Sequence, residues 1–435
     1  MLRLIFVLGV IAVGCATAIY SAFGALLFYM WFALFRPQEW VWIDITAYRP
    51  SLVIGLILVV RCVVSGILPN LSHPLSIGAV LFLLAAFVGL QGAVDPELAW
   101  YWFDFLSKLI VVTLFLITLT SSRQRAVILL AVISASFGFF TAKAGMVSLA
   151  GGGLQFREGL AGAFGDNNTY ALGAVMVLYL LIATAQNVSS RWVARGYWLA
   201  APLTVMTVVS TFSRAGFLAL VASALVFTLV QRRRWLLLSV ALAVLPLLLI
   251  VAPIPQGYFD RIQTIRTFQD SEETSALSRF HFWRVALKIS ADHPLGIGLW
   301  NFESVYDSYD DLDGLYGRRR AVHNSFLQAL DETGWLGGAL FVALHGYGFV
   351  VCFLIRRRAR LPGLPPPDSR FLATVGGALM ASMVGFVVGG FFVSMAYNDL
   401  TWLTFGIVAA VDRLSVAMTK ERAAALSPGT APATV

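Results

Sequence analysis

Apolar runs separated by short polar breaks fill most of this chain. A helix of about 20 mostly apolar residues can cross a bilayer because its backbone hydrogen bonds close within the segment. On this pattern, spans are expected near 51–68, 75–90, 103–120, 126–149, 168–185, 197–209, 215–230, 235–251, 335–355, 371–393 and 400–411. Residues 4–35 are long enough for one tilted helix or two short ones, with Tyr20-Ser21 the one plausible turn. The count is then about 12 or 13 spans, an all-α integral membrane protein. The pattern fails once, from Pro253 to Gly334. This polar interruption keeps Phe280, Phe282, Trp283, Leu287, Leu299, Trp300 and Phe302 among its charges, enough apolar surface to fold back onto something. Four regions follow: an N-terminal membrane bundle (1–252), the large loop (253–334), C-terminal membrane helices (335–413) and a disordered tail (414–435).

Composition agrees with the pattern. Hydrophobic residues make up 59% of the chain and charged ones 12%, against about 25% in a soluble domain. The formal charge of +8 is no sign of a nucleic-acid partner, because the arginines cluster in short loops between apolar runs. Arg232-Arg233-Arg234 and Arg356-Arg357-Arg358 flank the spans on either side of the large loop. The positive-inside rule puts both triplets in the cytoplasm and the loop outside. Counting back places Arg191, Arg195, Arg123 and Arg125 inside, and the 151–166 loop and the start of the 215–230 span outside. Cys15, Cys62 and Cys352 all lie in apolar runs, without CxxC spacing, so neither a disulfide framework nor a metal site is expected. The first run lacks a small-x-small cleavage site and reads as a retained span. No P-loop, HExxH or dinucleotide fingerprint is present, and no internal repeat is evident, which weakens a transporter reading.

Chemistry concentrates in four stretches. In TFSRAG (Thr211–Gly216), Arg214 falls at the outer end of two adjoining spans. It is either a snorkelling side chain or an anion clamp, since a guanidinium matches phosphate oxygens. SRFHFWRVALKIS (Ser278–Ser290) reads as an amphipathic helix with Phe280, Trp283 and Leu287 on one face. Its cations, Arg279, Arg284 and Lys288, either face headgroups or turn inward to join Arg214. HPLGIGLWNF (His293–Phe302) carries Gly296 and Gly298, suited to positive φ or close backbone approach. His293, before a proline, and His281, between aromatics, are expected to be structural. In VHNSFLQALDETGW, His323 begins an apolar-periodic run, and it can be a solvated side chain or a base that takes a proton from a hydroxyl. Asn324 and Glu332 are candidates to orient it or the acceptor. Lys143, in FFTAKAGM, either snorkels or marks a lipid-carrier groove, and Arg61 poses the same choice. The acidic stretch DSYDDLDG lacks a calcium-loop pattern or a His or Cys partner in sequence and reads as a solvated loop tip.

TFSRAG, the Arg279…Trp283 helix with HPLGIGLWNF, and HNSFLQALDETGW, in that order, resemble the O-antigen ligase/polymerase superfamily of bacterial envelope glycosyltransferases. GGGLQFREGLAGAFGDNNTYAL and RIQTIRTFQDSEETSALSR look like its exosortase-associated O-glycosylation ligase branch. The resemblance covers nearly the whole chain. It implies a GT-C-like bundle in the bacterial inner membrane, with its site facing the periplasm. The implied reaction moves a glycan from an undecaprenyl-diphosphate carrier to an acceptor hydroxyl on lipid A-core, protein or another glycan, without metal, nucleotide sugar or cofactor. The family's paired arginines map onto Arg214 and Arg279, its histidine onto His323, and a recurrent asparagine onto Asn168. Trp283, Arg284, Asn324, Glu332 and Lys143 complete the set expected to meet substrate. RRRAVHNS is more basic than the branch pattern, which leaves the acceptor open. Two alternatives remain: a polymerase joining lipid-linked repeat units, and a flippase for lipid-linked glycan. A flippase needs charges lining a path through mid-bilayer, whereas most charges here sit at span ends.

Overall fold

The computed structural model describes residues 2–42, 45, 48–152, 164–231, 234–235 and 272–426. The expected span at 235–251, most of the 151–166 loop, the first part of the large loop and residues 427–435 lie outside them. Fourteen α-helices occupy the described residues: α1 Leu2–Tyr20, α2 Ala22–Phe35, α3 Pro50–Val64, α4 Pro74–Gly89, α5 Pro96–Leu119, α6 Arg123–Ala150, α7 Asn167–Asn187, α8 Arg191–Ser210, α9 Arg214–Leu229, α10 Glu272–Asp292, α11 Phe302–Tyr309, α12 Ser325–Arg358, α13 Pro366–Gly390 and α14 Asp399–Leu426. Among the described residues, eight helices are long and apolar enough to cross a membrane, and α2, α3 and α9 are shorter apolar helices. The chain is an all-α integral membrane protein.

Local chemistry sets the helix ends. Residues 4–35 form two helices because Ser21 leaves the helical region (φ −141°, ψ 121°) and its side chain accepts from the Gly24 N–H. Ser122, Asp166, Ser190, Ser213 and Asn324 cap α6, α7, α8, α9 and α12 in the same way. α7 is buried almost all round and packs among α6, α8, α9 and α13. Lipid tails give helices little hydrophobic reason to associate, so close approach and hydrogen bonds hold them. Thr141 and Thr204 hydroxyls lie 2.8 Å apart between α6 and α8, Tyr179 donates to Ser223 at 2.8 Å between α7 and α9, and Asn187 donates to Thr374 at 2.8 Å between α7 and α13. At Gly145 a Cβ would meet the Leu203 carbonyl at 1.9 Å, so only glycine permits that crossing of α6 and α8.

The bundle has two unlike ends. At one, arginines fasten helix ends together: Arg123 pairs with Asp368 at 3.2 Å, and Asp412 takes both Arg358 and His73. Arg61 lies towards this end, donating to the Tyr20 carbonyl at 3.3 Å across the α1–α2 break. At the other end, the 293–302 turn docks on α12, which is kinked at Gly334 (φ 73°, ψ 179°). The Ile297 and Gly298 N–H groups donate to the Asp331 and Glu332 carbonyls at 2.9 and 3.1 Å. Gly296 and Gly298 do adopt positive φ (94° and 84°), and a Cβ on Gly296 would sit 2.7 Å from the Glu332 carbonyl. Asn301 exchanges hydrogen bonds with the Asp95 backbone, fixing the same turn to the α4–α5 connection.

Two expectations are corrected. The tail does not become disordered at 414: α14 continues to Leu426, through VAMTKERAAAL, a run rich in strong helix formers. On α10 the face against the rest of the protein is Phe282, Val285, Ala286 and Ile289, whereas Phe280 and Leu287 are 63% and 55% exposed. The helix carries two apolar stripes. The β-branched and small one packs with Ile297, Phe302, Val305, Tyr306 and Val322 into a second core.

Candidate functional site

Arg214 stands on a tightly built turn. α8 ends at Ser210, Phe212 takes φ 57°, and Ser213 starts α9 by accepting from the Gly216 N–H at 3.0 Å. The Ser213 hydroxyl donates to Asn168 Oδ1 at 2.7 Å, and Asn167 Nδ2 donates to the Thr211 carbonyl at 3.0 Å. The GDNN and TFSRAG stretches are therefore one unit, drawn together where Gly216 meets Ala171 between α7 and α9. Asn168 serves the turn that presents Arg214.

Arg279 comes to this unit from α10. It is half-buried, with its guanidinium carbon 5.9 Å from the centroid of the Phe392 ring, and Trp283 packs on the same ring at 6.3 Å. Burial, then the positive charge of Arg214, lowers its proton affinity. Phe392 is held in place by the α13–α14 connection, where Ser325 Oγ donates to the Val393 carbonyl at 2.6 Å and accepts from the Met395 N–H at 3.0 Å.

His323 precedes α12 with φ 49°, a left-handed conformation costly for a residue with a side chain. Its ring centroid lies 6.1 Å from Phe282, whose face also carries Arg320 at 5.8 Å. Burial lowers its pKa to about 4, helped by the charges of Arg279 and Arg320 and opposed by Asp166. His323 is thus unprotonated at neutral pH. Arg214, Arg279, His323, Asn168 and Trp283 gather at the loop-bearing end of the bundle.

The other expected contacts fall elsewhere. Arg284 turns to the far side of α10, donating to His281 Nδ1 at 3.1 Å and to Asp311 at 3.4 Å, because the acidic loop lies against that face. Asn324 Oδ1 is occupied as the cap of α12, accepting from the Phe326 and Leu327 N–H groups. Glu332 is buried, and its Oε2 accepts from the Trp300 N–H at 2.7 Å, which makes it a clamp on the 293–302 turn. Lys143 is exposed on α6. The acidic stretch has the histidine partner in space that it lacks in sequence: His281 Nε2 lies 2.8 Å from Asp310, whose side chain is 5% exposed. Burial alone would raise Asp310, but the Leu312 and Gly314 N–H groups and His281 outweigh it and hold the carboxyl below its usual range. His281, Asp310 and Asp311 form a three-residue group of metal-binding types. Their oxygens are already engaged by backbone N–H groups, Arg284 and Lys288, so the arrangement is an ionic clip between α10 and its loop.

Phe392, Arg320 and Asp166 join the site without having been expected there. Phe392 hides as one ring in the apolar FFVSMAYN, whereas an aspartate just ahead of an apolar run and the RRR triplet were signals that could have pointed to Asp166 and Arg320.

This all-α multi-span protein thus brings two guanidinium groups and an imidazole towards one another at one end. Residues 199–342, from α8 into the span of α12, match the family model described as O-Antigen ligase. That third of the chain is accordingly similar to O-antigen ligases, which supports a membrane enzyme of the ligase/polymerase type. Residues 1–188 match a family of unknown function (DUF5935). No curated protein matches the chain.

Proposed function

We propose that the protein is a glycosyltransferase of the bacterial inner membrane, moving a glycan from an undecaprenyl-diphosphate carrier to an acceptor hydroxyl at the periplasmic end of the bundle. The observation that carries this reading is the nearness of Arg214 and Arg279 to each other and to a half-buried His323 whose pKa is lowered to about 4. A lipid diphosphate leaves well only if its developing charge is stabilised, and fixed cations at a water-poor rim do so with little reorganisation. Two arginines suffice for this without a metal. The acceptor oxygen attacks the anomeric carbon in line while His323 takes its proton. The new C–O bond forms as the bond from the anomeric carbon to the phosphate oxygen breaks, and that electron pair leaves with the diphosphate. Configuration at the anomeric carbon is inverted.

Reconstituted transfer from a purified undecaprenyl-diphosphate glycan tests this. His323→Ala is expected to lose about 10²–10⁴-fold in rate, as removal of a general base does. Arg214→Ala and Arg279→Ala are each expected to lose about 10²–10³-fold, as loss of a charge-stabilising donor does. All three variants should insert into the membrane normally. Wild-type rates in the His323→Ala protein would remove the base assignment. Label on lipid A-core or protein identifies a ligase, and a ladder on the carrier identifies a polymerase.

A further inference from the structure

At the arginine-fastened end, opposite the candidate site, a groove of about 830 Å³ opens between α6, α7, α8 and α13. Its polar rim carries Arg123, Arg370 and Asn187, and its apolar wall carries Val127, Ile128 and Val193. Among the described residues no acidic one lines it; Asp368, the partner of Arg123, stands outside the lining. Ile128 and Val193 are 38% and 47% exposed, so the wall is open on its outer side. Arg123 and Ile128 lie about 8 Å apart along α6, at 1.5 Å per residue. One occupant would therefore meet cationic side chains and an apolar wall within the first turn and a half of these helices. A soluble anion uses only the first of these features and an uncharged lipid only the second.

We propose that this groove binds an anionic phospholipid of the bilayer, its headgroup phosphate between Arg123 and Arg370 and the upper part of an acyl chain along Val127, Ile128 and Val193. The first turns of α6, α8 and α13 open at the same rim and add their partial positive charge. Basic clefts between membrane helices select anionic headgroups in this way.

Native mass spectrometry of the full chain in detergent, titrated with phosphatidylglycerol or phosphatidylcholine, tests the proposal. Phosphatidylglycerol should bind more tightly, and Arg123→Gln/Arg370→Gln should weaken it roughly 30-fold, the effect of two interfacial cations. Arg195→Gln/Arg360→Gln removes the same charge at this end of the bundle but outside the lining, and should leave binding unchanged. Asp368→Asn breaks the ion pair while keeping Arg123, and should preserve or strengthen binding. Equal affinity for the two lipids would overturn the proposal. So would an equal loss in the Arg195/Arg360 variant, or displacement of the lipid by inorganic phosphate at matching affinity.

Discussion

His323 carries the proposed chemistry through its protonation state. Its pKa of about 4 arises first from burial and then from Arg279 and Arg320. A base must be unprotonated to act, so kcat/KM should stay level from neutral pH down to about 5 and fall as pH drops through about 4. An unshifted imidazole would give an acid limb near about 6.5. Replacing Arg320 by Gln removes one of the depressing charges, so the limb should move upward, which a pH–rate profile reads directly. Arg279→Lys keeps the charge but loses the planar fork that matches phosphate oxygens. It should recover only a small part of the activity lost in Arg279→Ala. Arg214, the cations of α10 and His323 stood out as candidates in the sequence because ionisable groups at span boundaries contrast with apolar neighbours, while only the family resemblance singled out Arg279. Phe392 was not, since nothing in FFVSMAYN separates a ring that supports Arg279 from one that faces lipid.

At the level of elements, the site depends on turns. The 293–302 turn reaches α12 only because Gly296 and Gly298 take positive φ and leave no Cβ against the Glu332 carbonyl and Ala93. Gly296→Ala should destabilise the fold by about 1–3 kcal/mol, the typical cost of forced backbone strain, and lower the unfolding temperature in detergent. Ser213→Ala removes both the cap of α9 and the bond to Asn168. It should cost about 0.5–2 kcal/mol and lower transfer with Arg214 itself intact. Sequence periodicity located α10 but not its buried face, because the helix has two apolar stripes and the choice between them is made by α11 and α12. That choice decided which cation turned to the site. Arg279 shares its side of the helix with Trp283, whereas Arg284 points to the acidic loop. Asn324 shows a related ambiguity: an asparagine before an apolar run offers capping as readily as catalysis, and its Oδ1 caps α12.

Over the whole molecule, the two ends are chemically distinct. Arginine ion pairs and arginine–carbonyl bonds fasten one end, while the other gathers the 293–302 turn, His323, Arg279 and Phe392. The alternation of apolar runs made this division readable, because the breaks at Arg123/Arg125, Arg191/Arg195, Arg232-Arg233-Arg234 and Arg356-Arg357-Arg358 fall at the same parity, although Arg318-Arg319-Arg320 lies in the large loop at the other end. Single cysteines introduced at Asp313 and Arg360, in a chain with Cys15, Cys62 and Cys352 replaced, should report it. In intact spheroplasts an impermeant thiol reagent should label position 313 and spare position 360. Labelling of 360 alone would reverse the proposed orientation. The most direct test of the account is in vitro transfer from a purified undecaprenyl-diphosphate glycan, with chelator present and nucleotide omitted, comparing the wild-type protein with His323→Ala. Undiminished product from the wild type and a loss of about 10²–10⁴-fold in the variant are expected. Equal rates in the two proteins, or a wild-type reaction that stops until metal or nucleotide is restored, would contradict it.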